Sequence, residues 1–239
     1  MKITGMRTIE CCDFIEKNPT LNRYCSHELK QTLEANKICH IYKKGQIIFF
    51  ENQPVNGIYI INEGKVKLWK KGIYTHEQII RFASDGDLMG YRACIDETNY
   101  ALSATALDNV SICYIDKNTF FHTLKRNPVL HLELLKHYAN NLRNIENRLR
   151  DMAEMNVREK VADALLIAIN SFGLEQDGKT INVTLLRSDI ASIAGTSTDQ
   201  VIKTLSQFKK EGIISTSGKK IIIENSPALE DIVSKFLPD

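Results

Sequence analysis

The side chains best placed to do chemistry in this chain are cations. Between residues 187 and 220 lie Arg187, Lys203, Lys209, Lys210, Lys219 and Lys220 against only Asp189, Asp199 and Glu211, a local surplus of +3. Over all 239 residues, 31 Lys and Arg face 29 Asp and Glu, so the formal net charge is only +2. A cationic patch in a nearly neutral chain suits contacts to a phosphate backbone. The second reactive set is six cysteines, Cys11, Cys12, Cys25, Cys39, Cys94 and Cys113. They contain no CxxC pair, which removes the zinc-ribbon and thioredoxin signatures. No nucleophile–base pair, metal-protease motif or phosphate-cradling glycine loop occurs, so no enzymatic activity is expected.

The cations sit on a recognisable scaffold. In RSDIASIAGTSTDQVIKTLSQFKKEGII, residues 187–214, Ile190, Ile193 and Ala194 make the apolar face of a short helix and Gly195 supplies a tight turn. Val201, Leu205 and Phe208 give a second helix its facing stripe. Small Ala191 and Ala194 permit a close crossing. Ser197 with Gln200, or Thr196 with Asp199, supplies a capping box for the second helix. A hairpin follows, IIST at 213–216, a Ser217-Gly218 turn, and KKIIIE at 219–224. The pattern is a helix-turn-helix with a wing, and its partner is double-stranded DNA. A mere packing hairpin would not need the basic stretch.

Upstream, residues 38–115 hold short runs rich in Ile, Val, Tyr and Phe: ICHIY, QIIFF, GIYII, KVKLW, EQIIRF and VSICYI. Glycines at 45, 57, 64, 72, 86 and 90 punctuate them, which reads as an antiparallel barrel, sandwich or roll. Near Pro128 the period changes. Leu135, Tyr138, Leu142, Ile145, Leu149 and Met152 recur at alternating +3 and +4 steps, an a/d seam with polar flanks that Asn156 closes. A helix of ~30 residues is ~45 Å long. It either packs one face on its own barrel or, as its narrow stripe favours, pairs with a second copy. Another helix spans 158–172 and a strand, INVTL, is expected after it.

Apolar residues make up 43% of the chain and charged residues 25%, which excludes a disordered tail or low-complexity scaffold. The N-terminal MKITGMRTIECCDFIEK lacks a signal-peptide core. No apolar stretch approaches the ~18 residues of a membrane span. The chain is expected in the cytoplasm, away from membranes, with its thiols reduced.

In the order and spacing of these parts the chain resembles the Crp/Fnr family of bacterial transcription regulators over nearly its whole length. The resemblance implies an α+β protein: an N-terminal antiparallel β-roll of the cyclic-nucleotide-binding jelly-roll type (1–126), a dimerisation helix (127–156) and a C-terminal winged helix-turn-helix (157–239). It implies a homodimer on a roughly palindromic operator, with RNA polymerase as a further partner, controlled by a signal sensed in the roll. GDLMG, residues 86–90, falls in the family's effector pocket, giving Gly86, Asp87, Leu88, Gly90, Tyr91, Tyr100 and Ala101 as pocket candidates. Cyclic-AMP receptors carry a Glu soon after this turn and an Arg-Ser or Arg-Thr pair that grips the cyclic phosphate. Here Tyr91 follows Gly90, and the pair reads Tyr100-Ala101 or Ala101-Leu102. A buried phosphate without its guanidinium is an uncompensated charge, so cyclic AMP in the usual mode is disfavoured.

The chain looks closer to the Fnr branch, whose oxygen sensors hold an iron–sulfur cluster on four cysteines. Cys113 falls at the internal ligand position, and Cys11, Cys12 and Cys25 precede the roll without the family's close spacing. These four are the candidates for a cluster or thiol sensor, and His40 and His76 for haem. Redox or metal sensing and a nucleotide gate with an unusual pocket are the alternative readings. Family members often present Glu and Arg four residues apart to the bases; this chain has Asp199 and Lys203. Lysine approaches guanine without the bidentate fork, Asp199 accepts from cytosine, and Ile202 suits a thymine methyl. Arg187, Ser188, Ser197 and Gln200 are the expected phosphate contacts, with Thr198 beside them. Asp199 and Lys203 can also join as an exposed ion pair worth only ~0.3–0.5 kcal/mol.

Overall fold

A polar residue with a side-chain oxygen stands before nearly every helix in this chain, and those oxygens set where the helices begin. The structure is a computed structural model that describes residues 14–72 and 77–236. Three helices open it: α1 (Phe14–Lys17), α2 (Pro19–Tyr24) and α3 (His27–Ala35). Asn18 Oδ1 accepts from Leu21 N at 2.7 Å to cap α2, while its amide donates to Gly86 O at 2.6 Å. Ser26 caps α3. The glycine-punctuated pattern that begins at residue 38 carries no sign of this helical collar.

The chain divides into two compact units, Met1–Leu68 with Ala83–Leu142, and Trp69–Phe82 with Arg143–Asp239. The strands are β1 (Lys37–Tyr42), β2 (Ile47–Phe49), β3 (Gly57–Glu63), β4 (Val66–Lys71), β5 (Glu77–Ala83), β6 (Leu88–Met89), β7 (Ser103–Ala106) and β8 (Val110–Asp116). They form two four-stranded sheets, β1-β8-β3-β6 and β2-β7-β4-β5. The β1/β8, β3/β8, β3/β6 and β2/β7 pairs are antiparallel. This is the β-roll, and it accounts for all six β-type runs read from the sequence. Two apolar clusters fill the unit, one around Ile58, Ile60, Tyr91, Cys113 and Ile115, the other around Ile61, Val66, Met89, Tyr100 and Ile112. Helix α4 (Tyr91–Ile95) interrupts the roll after Gly90, a turn of helix too short to show a period.

Asp116 ends β8 and caps α5 (Lys117–Lys125), its Oδ1 accepting from Asn118 N and Thr119 N. Asn127 then accepts from Leu130 N at 3.0 Å, and Pro128 opens α6 (Pro128–Glu154), where its missing N–H costs nothing. Helix α6 buries Leu130 and Leu134 in the roll's core, while Leu135, Tyr138, Leu142, Ile145 and Leu149 stay exposed, Leu149 at 73%.

In the second unit, α7 (Val157–Phe172) starts in a capping box between Asn156 and Glu159, so Asn156 begins a helix instead of closing a heptad. Next come α8 (Arg187–Ala194), α9 (Thr198–Lys210), the β9 (Ile214–Ser217)/β10 (Lys220–Ile223) hairpin and α10 (Ser226–Asp231). INVTL is not a strand: Ile181 and Thr180 make only isolated bridges to Leu174 and Ile222. The hairpin pairs Lys220 with Ser217, which puts its two-residue turn at Gly218-Lys219, one position later than the sequence reading. Residues 77–82 join this unit: Ile79 is buried, the Phe82 ring lies 5.0 Å from that of Phe172, and Ser192 Oγ accepts from Ile79 N at 2.7 Å while donating to Glu77 O at 2.6 Å.

Leu130 is 0% exposed, so Leu130→Ala should cost about 2–5 kcal/mol of unfolding free energy through lost burial and a residual cavity. Urea unfolding of wild type and variant under one condition measures this.

Candidate nucleic-acid interface and effector region

Helices α8 and α9 meet through small and apolar residues. Ile190, Ala191, Ile193 and Ala194 are buried on one, Val201, Leu205 and Phe208 on the other. Gly195 ends α8 in the left-handed region at φ 63°, and a Cβ there would lie 2.6 Å from Met152 Cε. The backbone calls for glycine, while the Met152 methyl, at the end of a flexible side chain, would have to swing aside to admit a Cβ. Met152, read as the end of the apolar seam, is half-buried against this turn. The last turn of α6 serves the helix-turn-helix core, so Met152 leaves the seam. Ser197 caps α9 by accepting from Gln200 N at 3.3 Å. The Gln200 side chain accepts from the Thr196 hydroxyl and does not close a reciprocal box. At the far end, Arg158 grips both Glu211 oxygens, at 2.9 and 2.5 Å, and its guanidinium lies 4.7 Å from the Phe208 ring centre. The helix is held at both ends.

With one face of α9 in the core, the other carries Thr198, Asp199, Ile202, Lys203 and Ser206 to solvent. Ile202 is 50% exposed. Asp199 and Lys203 share this face, and among the described residues no ion pair or hydrogen bond joins them. Ser206 was missed by the sequence reading, though it sits one helical turn beyond Ile202 and Lys203 and two beyond Asp199. Ser188 and Arg187 occupy the first turn of α8, where backbone N–H groups favour anions. Arg187 Nη1 is buried without a hydrogen-bond partner, and burial lowers the pKa of its guanidinium. An anion would satisfy that nitrogen. Lys209, Lys210 and Lys219 are exposed, whereas Lys220 pairs with Glu175 at 2.7 Å.

In the roll, Tyr100 occupies the space next to Gly90. A Cβ on Gly90 would lie 2.8 Å from Tyr100 Cε1. The Tyr100 hydroxyl donates to Gly57 O at 3.0 Å, and its ring stacks on Phe49 at 4.4 Å. Tyr100 is buried, Ala101 is exposed and Leu102 packs partly buried against the core, so of the alternative pairs Tyr100 and Leu102 point inward. An open cavity of about 350 Å³ is lined by Gln53, Pro54, Asn56, Tyr59, Tyr100 and Tyr114. Of the seven pocket candidates only Tyr100 lines it. Gly86 lies under the Asn18 cap, Asp87 Oδ2 accepts from Ser84 N at 2.8 Å, and Leu88 belongs to β6. No charged side chain lines the cavity, and burial with neighbouring tyrosines pushes the Tyr114 phenol up to about 12. The residues lining this cavity offer a phosphate no cation. The sequence reading missed Tyr59 and Tyr114, whose signal was their pairing on adjacent strands, directly opposed in the β3/β8 register.

Tyr91 is buried; its hydroxyl accepts from Asn141 Nδ2 at 3.1 Å, and Arg92 lies 5.5 Å from the Tyr138 ring centre. Helix α4 therefore grips α6 beside the seam. Cys25 and Cys113 are buried in one apolar cluster, while Cys11, Cys12 and His76 fall outside the described residues. Burial pushes the Cys25 thiol up to about 11, which opposes the thiolate a metal needs. Among the described residues no three His, Cys, Asp or Glu side chains come together as a metal site. His40 stands on β1 with Tyr42 as its ring neighbour at 6.2 Å.

A β-roll followed by a long helix and a winged helix-turn-helix defines a DNA-binding regulator with a sensory domain. The model of the cyclic nucleotide-binding domain matches residues 39–127, and that of the Crp-like helix-turn-helix domain residues 159–232. The CRP-like cAMP-activated global transcriptional regulator of Mycobacterium tuberculosis is 30% identical over 190 residues, covering 79% of this chain and 84% of that protein. The anaerobic regulatory protein of Bacillus subtilis is 27% identical over 214 residues, covering 88% and 90%. Among solved structures, FixK2 from Bradyrhizobium japonicum superposes with a TM-score of 0.73 at 22% identity, over 82% of this chain and 96% of that one. The chain belongs to the Crp/Fnr family of transcription regulators.

Gly195→Ala should lower stability by about 1–2 kcal/mol, because alanine pays for the left-handed backbone and crowds the Met152 methyl. A thermal melt checks this, with a Gly212→Ala variant, at a glycine of positive φ with open space around it after α9, for comparison.

Proposed function

We propose that this regulator is a cytoplasmic homodimer that places α9 of each protomer in successive major grooves of a roughly palindromic operator. The observation that carries the reading is the outer face of α9, where Thr198, Asp199, Ile202 and Lys203 are exposed, with Lys209 and Lys210 exposed in its last turn. Thr198, Asp199, Ile202 and Lys203 read base edges, while Arg187, Ser188, Ser197 and Gln200 take phosphates. The exposed stripe from Leu135 to Leu149 forms the dimer contact, since five large apolar side chains along one helix demand a partner. Residues 1–126 sense, 127–156 dimerise and 157–239 bind DNA, with RNA polymerase as the further partner and no catalytic step. The signal reaches α6 through the grip of Tyr91 and Arg92 on Asn141 and Tyr138, and changes the geometry at the seam. The effector is not a cyclic nucleotide held by its phosphate in the usual mode, because the positions of the family's Arg-Ser pair read Tyr100-Ala101 or Ala101-Leu102 and neither supplies a guanidinium. A redox signal is the second reading, favoured by the thiols of the roll.

Lys203→Ala should cost about 1–3 kcal/mol on the preferred operator and relax preference at one base pair per half-site. Lys209→Ala or Lys210→Ala should weaken binding evenly across sequences and lower the salt slope by roughly one unit. Selection of bound sites from random duplexes separates the two classes; an unchanged consensus with Lys203→Ala rejects its base contact.

Ile145→Asp should yield monomers in sedimentation that no longer bind operator, and an intact dimer would overturn the seam. Calorimetric titration with cyclic AMP should show no binding at micromolar concentration. Heat at that level, abolished by substitutions around residues 86–90, would overturn the reading of the pocket.

A further inference from the structure

We propose that Cys39 and Cys113 form an oxidative modification site, a dithiol that a hydroperoxide converts into an intramolecular disulfide. The two residues are opposed Cα partners in the β1/β8 pair, and their Sγ atoms lie 3.4 Å apart in the thiol form. Directly opposed residues of antiparallel strands have Cα atoms ~4.5–5.5 Å apart, inside the ~4.4–6.8 Å that a disulfide spans. Closing the sulfurs to bonding distance therefore requires side-chain rotation and no movement of a strand. Sequence spacing conceals the pair, because 74 residues separate its members.

The two thiols differ in access. Cys39 is half-buried on the edge strand β1, whereas Cys113 is 0% exposed on β8 in the middle of the sheet. Cys39 is thus the attacking thiol and Cys113 the resolving one. The Cys39 thiolate attacks the terminal peroxide oxygen; an S–O bond forms, the O–O bond breaks, and the leaving oxyanion takes a proton to become water or an alcohol. The Cys113 thiolate then attacks the Cys39 sulfenic sulfur. The S–S bond forms, and the S–O bond breaks to release hydroxide, which is protonated to water. Two thiols lose two electrons and the hydroperoxide gains them.

Lys37 supports the thiolates. It lies two residues before Cys39 on the same face of β1 and pairs with Glu34. Burial works against its charge, yet Glu34 and the neighbouring Cys113 and Cys39 hold its pKa above the ordinary lysine value. A nearby ammonium favours a thiolate by the same attraction. A disulfide of this kind in a reducing compartment is transient, formed by the oxidant and removed by thiol exchange.

The test treats the reduced full-length chain with a small excess of hydrogen peroxide, alkylates it, and maps its peptides without reductant. The expected product is one linked peptide pair holding Cys39 and Cys113, lost on adding dithiothreitol. Cys113→Ser should stop at a Cys39 sulfenic acid trapped by dimedone, and Cys39→Ser should give no linked pair. Lys37→Gln should slow linkage several-fold at neutral pH, with the rate recovering as the pH rises. Oxidation should raise the Tm of the wild type by several degrees and leave that of Cys39→Ser unchanged, because the bond closes a long loop. Recovery of Cys39 and Cys113 as singly alkylated peptides would overturn the proposal. So would cross-links to Cys11, Cys12 or Cys25 as frequent as in the urea-unfolded chain.

Discussion

The dominant constraint in this molecule is that one helix carries two apolar surfaces and the chain supplies only one of them with a cover. Helix α6 turns Leu130 and Leu134 into the roll's core, where each is at most 5% exposed. Its later residues Leu135, Tyr138, Leu142, Ile145 and Leu149 face outward along a rod of 27 residues, roughly 40 Å at the rise of an α-helix. Burying a leucine or isoleucine fully is worth ~1.5–3 kcal/mol. The stripe of four such positions and Tyr138 left in water is the surface that the proposed second copy would cover. The alternation of +3 and +4 steps keeps that stripe on one line, so the cover it needs is another helix.

The interior of the roll beside Gly90 is filled without any ion. Tyr100 occupies it with a ring stacked on Phe49 and satisfies its own hydroxyl on Gly57 O. The phenol needs no counter-ion, because burial drives its pKa far above physiological pH and leaves it neutral. A neutral ring with its hydroxyl bonded leaves no buried charge in need of a partner, so this part of the roll is satisfied by its own side chains.

Much of the fold was legible because it rests on periodicity. The two-residue alternation of GIYII and VSICYI, the heptad of α6 and the Gly195 turn each report on a buried face, and burial is what sequence pattern records. The short collar α1–α3 and the single turn α4 were not legible, since elements of four to nine residues show less than three turns of any period. Met152 was misread for a related reason: it continues the spacing of the seam, but the helix-turn-helix core claims it through the gap that Gly195 leaves. The cysteines failed differently. Cys25 and Cys113 share a cluster, yet the intimate partner of Cys113 is Cys39, and only strand register could show that. Asp199 and Lys203 were placed correctly on one exposed face by helical spacing alone, but their lack of a mutual bond depends on rotamers.

The recognition helix does not stand on its own domain's core alone. Helix α8, which α9 packs against, is tied through Ser192 to the backbone of residues 77–79, and the same segment buries Ile79 and Phe82. Detaching it exposes two large apolar side chains, at ~1.5–3 kcal/mol each, while the Ser192 hydroxyl simply turns to water. Couplings between sites in proteins are typically ~1–3 kcal/mol. Two buried side chains together exceed the energy of a typical coupling, so the segment 77–82 belongs to the packed core of the helix-turn-helix unit and helps fix where α8, and with it α9, is held.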